Sequence, residues 1–163
     1  FLATRPGLRI RIVSTIWPDE LTSRITDAEI RFGSDKQVGR DAARLGPDAL
    51  IAVARDPPAG ALPDQVLIEA VGAASGWAAW GRAAGIEAPL SPTLFVDSHG
   101  LALTMAAEGQ GVALTSSWRA AGALRSGAVR QAHGAELPPA DGYFLAVNRT
   151  AGPAQDFARW LTE

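Results

Sequence analysis

The sequence predicts an α/β fold with mainly parallel sheets, and three observations support this. Short apolar runs alternate along the chain with segments whose apolar residues recur at helical spacing. Of the 163 residues, 47% are hydrophobic, which is enough to bury a core. Residues 94–118 form the clearest unit, a strand, a helix and a strand, with polar side chains where each strand ends. In an open α/β sheet, that edge is where ligands bind.

In the first half of the chain, the pattern predicts four strands and one helix. Residues 8–12 alternate isoleucine and leucine with arginine, which is typical of a strand with one solvated face. The other strands are predicted at 28–32, 49–54 and 66–68, and the helix at 75–84. The 49–54 run is apolar enough to be buried on both faces before Asp56-Pro57-Pro58 interrupts it. Trp77 and Trp80 share one helix face, and we expect both in the core.

In the second half, strand and helix patterns continue to alternate. Residues 94–96 form a strand, Asp97 and Ser98 offer N-cap oxygens to the following helix, and Gly109 ends that helix. Further strands are predicted at 112–114, 128–131 and 143–147, and a helix at 119–125. Pro153 suits the first position of a closing helix.

Charge and composition exclude several classes of function. The net charge is −2 and the pI is near 5.7, so we expect no nucleic acid binding by this chain itself. With no cysteine, thiolate nucleophiles and zinc–thiolate sites are excluded. No stretch approaches the roughly 18 to 20 apolar residues that a membrane span needs, so a membrane is not an expected partner.

Polar side chains beside predicted strand and helix ends are the candidate ligand contacts. They are Ser14, Thr15, Asp97, Ser98, His99 and Thr115. Free amides at a helix N-terminus can bind an anion, which favours the Ser98 region. The alternatives are that Asp97 or Ser98 is only an N-cap, that His99 is a solvated first-turn residue, and that Ser14 and Thr15 form an ordinary turn. Ser116, which follows Thr115, is a further candidate.

Arg31 and Tyr143 are two further candidates in predicted strands. The guanidinium of Arg31 suits a bidentate pair with an acidic ligand, or equally with one of the chain's own carboxylates. Tyr143 is the only tyrosine and stands at a predicted chain crossing. Its alternative is a core ring whose hydroxyl is hydrogen-bonded.

An enzyme is the main alternative class, and the sequence argues against it. Ser98 and Gly100 match the end of a G-x-S-x-G nucleophile elbow, but Val96 occupies the first glycine position, where a side chain does not fit. The only histidines, His99 and His133, have no carboxylate placed to complete a triad. Their separation of 34 residues is not a metal-ligand spacing. Gly109-Gln110-Gly111 lacks the third glycine of a dinucleotide motif, so no metal and no cofactor are predicted.

Two motifs in this chain together resemble a known family. Phe95 to Ser98 is followed by the run Ala-Ala-Glu-Gly-Gln-Gly-Val-Ala-Leu at 106–114. This order resembles the effector-binding domain of the LysR-type transcriptional regulators. Residues 27–33, the tryptophan pair before Gly85, and residues 157–163 agree. Together they point to the subgroup that includes the glycine-cleavage activator and the β-lactamase-inducing regulator.

The resemblance implies two Rossmann-like lobes joined by two hinge strands, as in type 2 periplasmic binding proteins. The first lobe would comprise residues 1–52 and 147–163, and the second residues 53–146. An effector would lie in the cleft between them, contacted by Ser98 on one side, by Ser14 and Thr15 on the other, and bordered by Tyr143. The family's domain has one more strand and helix ahead of Phe1, so the resemblance also implies that these are missing.

The resemblance implies the following partners and location. A small-molecule effector would shift a homodimer or homotetramer in the cytoplasm, and DNA would be bound only through an absent N-terminal helix-turn-helix domain. A secreted solute-binding protein, which shares the two-lobed plan, is a further alternative.

Overall fold

A computed structural model describes residues 1–14, 26–148 and 152–162 of the chain. The strands are β1 (Ala28–Gly33), β2 (Ala42–Arg44), β3 (Leu50–Ala54), β4 (Leu67–Ala70), β5 (Leu94–Val96), β6 (Val112–Ser116), β7 (Arg130–Leu137) and β8 (Gly142–Val147). The helices are α1 (Asp35–Val38), α2 (Trp77–Ala83), α3 (His99–Ala107), α4 (Ser117–Ser126) and α5 (Pro153–Thr162), with short 3₁₀ turns at Leu2–Thr4 and Leu62–Asp64. None of the described helices is long and apolar enough to cross a membrane.

The chain divides into two compact units with one sheet each. Unit 1 comprises Phe1–Gly46 and Tyr143–Glu163, and unit 2 comprises Pro47–Gly142. The lobe boundaries expected from the resemblance, between residues 52 and 53 and between 146 and 147, fall inside β3 and β8. These lobe boundaries stay a prediction.

Unit 1 contains a three-stranded sheet in the order β1-β8-β2, in which β2 and β8 are antiparallel. Helix α5 begins at Pro153, as predicted, because proline at the first helical position loses no intrahelical hydrogen bond. Its Phe157 and Trp160 rings lie with centroids 5.5 and 5.6 Å from that of Phe1, which ties the chain start to the final helix.

The predicted strand at 8–12 is wrong. Residues 8–14 belong to no helix or strand, and the side chain of Ile12 is 87% exposed. Alternating residues mark the face that a strand would bury, but a strand forms only where a neighbour pairs with its backbone groups. In the part of unit 1 that the structure describes, the sheet consists of β1, β8 and β2 alone.

Unit 2 contains a five-stranded sheet in the order β5-β4-β6-β3-β7. β4 is parallel to β5 and β6, whereas β3 is antiparallel to β6 and β7, so the sheet is mixed and the expectation of a mainly parallel sheet is wrong. A parallel crossover needs a connection that runs back along the sheet, usually a helix. The link from β3 to β4 contains only the 3₁₀ turn Leu62–Asp64, and β4 accordingly runs opposite to β3.

The sheet of unit 2 is covered on both faces. The five residues of β3 are all buried, with alternate side chains in two hydrophobic clusters, as the sequence predicted for this run. One cluster contains Trp77 and Trp80 of α2, and the other contains Ala102 and Ala106 of α3. Both predictions about the tryptophans' burial are confirmed, since neither side chain is exposed.

Candidate functional site

The first turn of α3 is the centre of the candidate site in unit 2. Ser98 is the N-cap residue, and its Oγ accepts a hydrogen bond from the Leu101 amide at 3.3 Å. Asp97 and Ser98 are both exposed at the end of β5, so the predicted sequence of strand, cap and helix is confirmed. The N-terminal amides of a helix carry a partial positive charge that favours an anion.

Arg119, in the first turn of α4, brings a second positive charge to this place. Its amide donates to Ser116 Oγ at 3.3 Å, which fixes the start of α4. Its guanidinium lies over Gly100, where an added Cβ would come within 2.6 Å of Arg119 Nη2. Glycine at position 100 therefore lets the guanidinium approach the α3 backbone. Arg119 was not predictable from the sequence as a site residue, because only the fold brings residues 100 and 119 together.

Asp48 closes the N-terminus of α4. Its carboxylate accepts hydrogen bonds from Ser116 Oγ at 2.8 Å, Ser117 Oγ at 3.1 Å and the Trp118 amide at 3.2 Å, as well as from the Ala49 amide at 2.9 Å. The hydroxyl of Ser116 is therefore hydrogen-bonded within the chain, and a contact between Ser116 and a ligand stays a prediction. The only feature of the sequence that could have indicated this role of Asp48 is its position two residues before the buried strand β3.

Helix α2 is also capped by an internal carboxylate. The Trp77 amide donates to Glu69 Oε2 at 2.6 Å, and the carboxylate fits against Gly76, where a Cβ would be only 2.2 Å from the same oxygen. Glu69 is the single charged residue of β4, and a lone carboxylate in an apolar strand could have indicated an internal role. Thus α2 and α4 start at carboxylates, whereas α3 starts at the neutral hydroxyl of Ser98.

His99 and Thr115 lie beneath the start of α3. His99 is only 6% exposed, so it is not a solvated first-turn residue. Burial lowers the pKa of His99, and a hydrogen bond to the Leu114 backbone and the charge of Asp48 oppose this only in part. Thr115 is fully buried and its Oγ1 donates to the His99 carbonyl at 3.3 Å. This placement indicates that both residues hold the first turn of α3 in position. Their contact with a ligand stays a prediction.

Arg31 lies in unit 1, where the chain's own acceptors surround its guanidinium. Nη2 lies 2.8 Å from Glu29 Oε2, and Nη1 lies 3.1 Å from Asp41 Oδ1 and donates to the Val38 carbonyl at 2.8 Å. Of the two roles that the sequence left open, the structure contains the internal ion pair. A further contact with an acidic ligand stays a prediction.

The Glu29 carboxylate accepts hydrogen bonds from three side chains, and this gives a prediction about the effect of pH on stability. Burial raises its pKa, but hydrogen bonds from Thr26, Asn148 and Arg31 outweigh this and hold the pKa below the ordinary glutamate value. Its contribution is therefore complete above the unfolded-state pKa and is lost as the pH falls through the lower folded-state pKa. Glu29→Gln should cost about 1–2 kcal/mol at neutral pH and progressively less in acid.

Urea denaturation at neutral and acidic pH checks this prediction. Glu87→Gln, which changes an exposed glutamate, is the matched control and should change stability little at either pH. An equal loss for Glu29→Gln at both pH values would contradict the proposed role of its charge.

The remaining candidate contacts are Tyr143, Ser14 and Thr15. The Tyr143 ring lies with its centroid 5.0 Å from that of Phe32, and its carbonyl accepts a hydrogen bond from the Leu45 amide at 2.8 Å. Ser14 is exposed and belongs to no helix or strand. Thr15 lies outside the described residues. The structure thus gathers Asp97, Ser98, His99 and Thr115 in unit 2 and places Ser14, Arg31 and Tyr143 in unit 1.

Metal binding finds no support in the described ranges 1–14, 26–148 and 152–162. They contain no group of three or more histidine, aspartate or glutamate residues that could hold a metal ion.

Comparison with known proteins gives a clear family match. The family model described as LysR substrate binding domain matches residues 1–163, the whole chain. No curated protein matches the chain.

Several solved structures are similar to this one. The effector domain of the transcriptional regulator AmpR of Pseudomonas aeruginosa is 25% identical, with a TM-score of 0.65, covering 86% of this chain and 72% of its own. The AmpR effector-binding domain from Citrobacter freundii is 24% identical, with a TM-score of 0.67, covering 91% and 77%. The apo regulatory domain of HypT from Salmonella typhimurium is 16% identical, with a TM-score of 0.63, covering 98% and 84%. The last two comparisons concern the fold alone.

Proposed function

The chain belongs to the family of LysR substrate-binding domains, and on that premise we propose where it holds its effector and of what chemical class that effector is. As a member of the family, the chain is an effector-binding regulatory domain of LysR-type transcriptional regulators and not an enzyme. Its α/β fold is that of the family, whose domains have two lobes like those of periplasmic binding proteins.

The effector is a small metabolite that carries a carboxylate, and it binds at the first turn of α3. The observation that carries this proposal is the position of Arg119, whose guanidinium lies over Gly100 at the start of α3. A guanidinium and a helix N-terminus both favour an anion, and a carboxylate matches the paired donors of arginine. The N-cap Ser98 is exposed beside them, so its hydroxyl can donate to the same ligand.

The internal carboxylates of unit 2 support the choice of α3. Asp48 and Glu69 already supply a negative charge to α4 and α2. At α3 the cap is the neutral hydroxyl of Ser98, and the Arg119 guanidinium lies over the first turn, which favours an anionic ligand there. Contacts by Ser14, Thr15 or Tyr143 are part of the proposal only through the family resemblance, and a contact by Arg31 only through the chemistry of its guanidinium.

The finer assignments rest on the motifs and on the family. We place the chain in the glycine-cleavage-activator-like subgroup because of the motifs at 95–98 and 106–114 together with residues 27–33, the tryptophan pair before Gly85 and residues 157–163. A homodimer or homotetramer, a cytoplasmic location and control of DNA binding through a separate helix-turn-helix domain are properties of such regulators that we propose for the whole protein.

Binding measurements on Arg119→Gln and Ser98→Ala test the proposal. A panel of small carboxylates, including amino acids, should contain a compound that raises the melting temperature, since a ligand at 100 times its Kd stabilises by about 2.7 kcal/mol. By isothermal titration calorimetry, each variant should bind that compound about tenfold or more weakly, because each loses a hydrogen bond to a charged group.

Matched variants separate binding from stability. Ser98→Ala should also cost about 1 kcal/mol of stability, because an N-cap is lost. Ser34→Ala removes the N-cap serine of α1 and should leave affinity unchanged. Arg130→Gln removes an exposed arginine elsewhere in unit 2 and should do the same. A carboxylate that binds equally to Arg119→Gln and the unaltered chain would refute the proposed site.

A further inference from the structure

Unit 1 contains an open groove between its sheet and its last helix. The groove has a volume of about 400 Å³, which lies within the range of small-molecule sites. Ala43 of β2 and Leu145 and Val147 of β8 form an apolar floor, and Ala158 of α5 forms part of the wall. All of these residues belong to unit 1, so the groove is complete within it.

The groove has a charged side chain of each sign on its rim. Asp41 precedes β2, and Arg159 lies in α5. Because Ala42 pairs with Ala146, Asp41 stands at the Val147 end of the antiparallel β2–β8 pair. The two charges therefore come from different elements of unit 1.

Each rim charge belongs to a cluster of ion pairs, and the charges of the described residues in each cluster do not balance. On one side, Glu29 and Asp41 share the single guanidinium of Arg31. These three residues carry one negative charge in excess.

On the other side the imbalance has the opposite sign. Arg5 and Arg159 share the single carboxylate of Asp156, at 3.0 Å from Arg5 Nη1. These three residues carry one positive charge in excess. The groove thus presents a negative rim and a positive rim beside an apolar floor.

We infer that this groove is a second ligand site that binds a short zwitterionic peptide with aliphatic side chains, such as a dipeptide. The terminal ammonium pairs with Asp41, the terminal carboxylate pairs with Arg159, and the aliphatic side chains cover Leu145 and Val147. A dipeptide suits the groove better than a single amino acid because it carries two side chains that can cover the apolar floor, as well as a charge of each sign. This site is independent of the one proposed at α3.

Calorimetric titration of the 163-residue chain with leucyl-leucine tests the inference. N-acetyl-leucyl-leucine lacks the ammonium and leucyl-leucine amide lacks the carboxylate, so each should bind about tenfold or more weakly. Asp41→Asn should abolish the preference for the free over the acetylated peptide, and Arg159→Gln the preference for the free over the amidated peptide.

Three controls make the result decisive. Asp41→Glu keeps the charge and should keep the preference against acetylation, while thermal unfolding checks that every variant is folded. Asp56→Asn and Arg130→Gln, which change exposed charges of unit 2, should leave peptide binding unchanged. Absence of binding to the unaltered chain, or equal binding of the three peptides, would overturn the inference without bearing on α3, where Arg119→Gln is the diagnostic variant.

Discussion

Replacing Trp80 with alanine is expected to lower the free energy of unfolding by about 3–5 kcal/mol. The indole is fully buried and packs edge to face on Trp77, with ring centroids 5.4 Å apart. Its Nε1 donates to the Leu50 carbonyl at 3.1 Å, at the start of the interior strand β3. The variant therefore leaves a large cavity and also removes a hydrogen bond to a buried carbonyl.

Urea denaturation measures this loss, and two further variants divide it. Trp80→Phe keeps most of the ring but loses the hydrogen bond, and should cost about 1–3 kcal/mol. Trp160→Ala removes a tryptophan that is 48% exposed on α5, and should cost clearly less than Trp80→Ala. Similar losses for Trp80→Ala and Trp160→Ala would show that the core of unit 2 is not what stabilises the chain.

Gly111→Ala is expected to cost about 3 kcal/mol or more, because it combines backbone strain with a collision. Gly111 has a φ of +150°, and an added Cβ would come within 2.3 Å of the Val66 carbonyl oxygen. That oxygen accepts the Val112 amide at 2.9 Å, beside the parallel pair of β4 and β6. The chain cannot relieve the collision without parting the two strands at this end.

Gly127→Ala is the matched control for Gly111→Ala. Gly127 has a φ of +75° at the end of α4, and an added Cβ would meet nothing within 4 Å. Its cost is therefore strain alone, about 1 kcal/mol. Denaturation curves of the two variants should differ by about 2 kcal/mol or more, and equal costs would contradict the collision with Val66.

In unit 2, the sequence predicted those strands and helices whose start and end residues, such as N-caps and glycines, lie close together in the chain. The run at 94–116 is an example, since Ser98 caps α3 and glycines mark its end, as expected from their types. Strand direction was not predictable, because the link between β3 and β4 decides it. The strand β7 extends to Leu137, well beyond the predicted end at 131, because it pairs along the full length of β3.

The candidate site was predictable only in part. Ser98 was found because capping and ligand contact both need a hydroxyl at the start of a helix. Arg119 and Asp48 were not found, because each acts on residues that only the folded sheet brings near. Short elements such as α1 and β2 escaped prediction as well, since three or four residues carry too little periodicity to be recognised.

The carboxylate of Asp48 ties the start of α4 to the first residues of unit 2. Asp48 follows the first residue of unit 2 and accepts a hydrogen bond from Ser116 Oγ, which in turn accepts one from the amide of Arg119. The backbone of Arg119 is therefore joined through two hydrogen bonds to the point where the chain enters unit 2. Replacing Asp48 with a residue that has no carboxylate would break this connection and leave the Arg119 side chain in place.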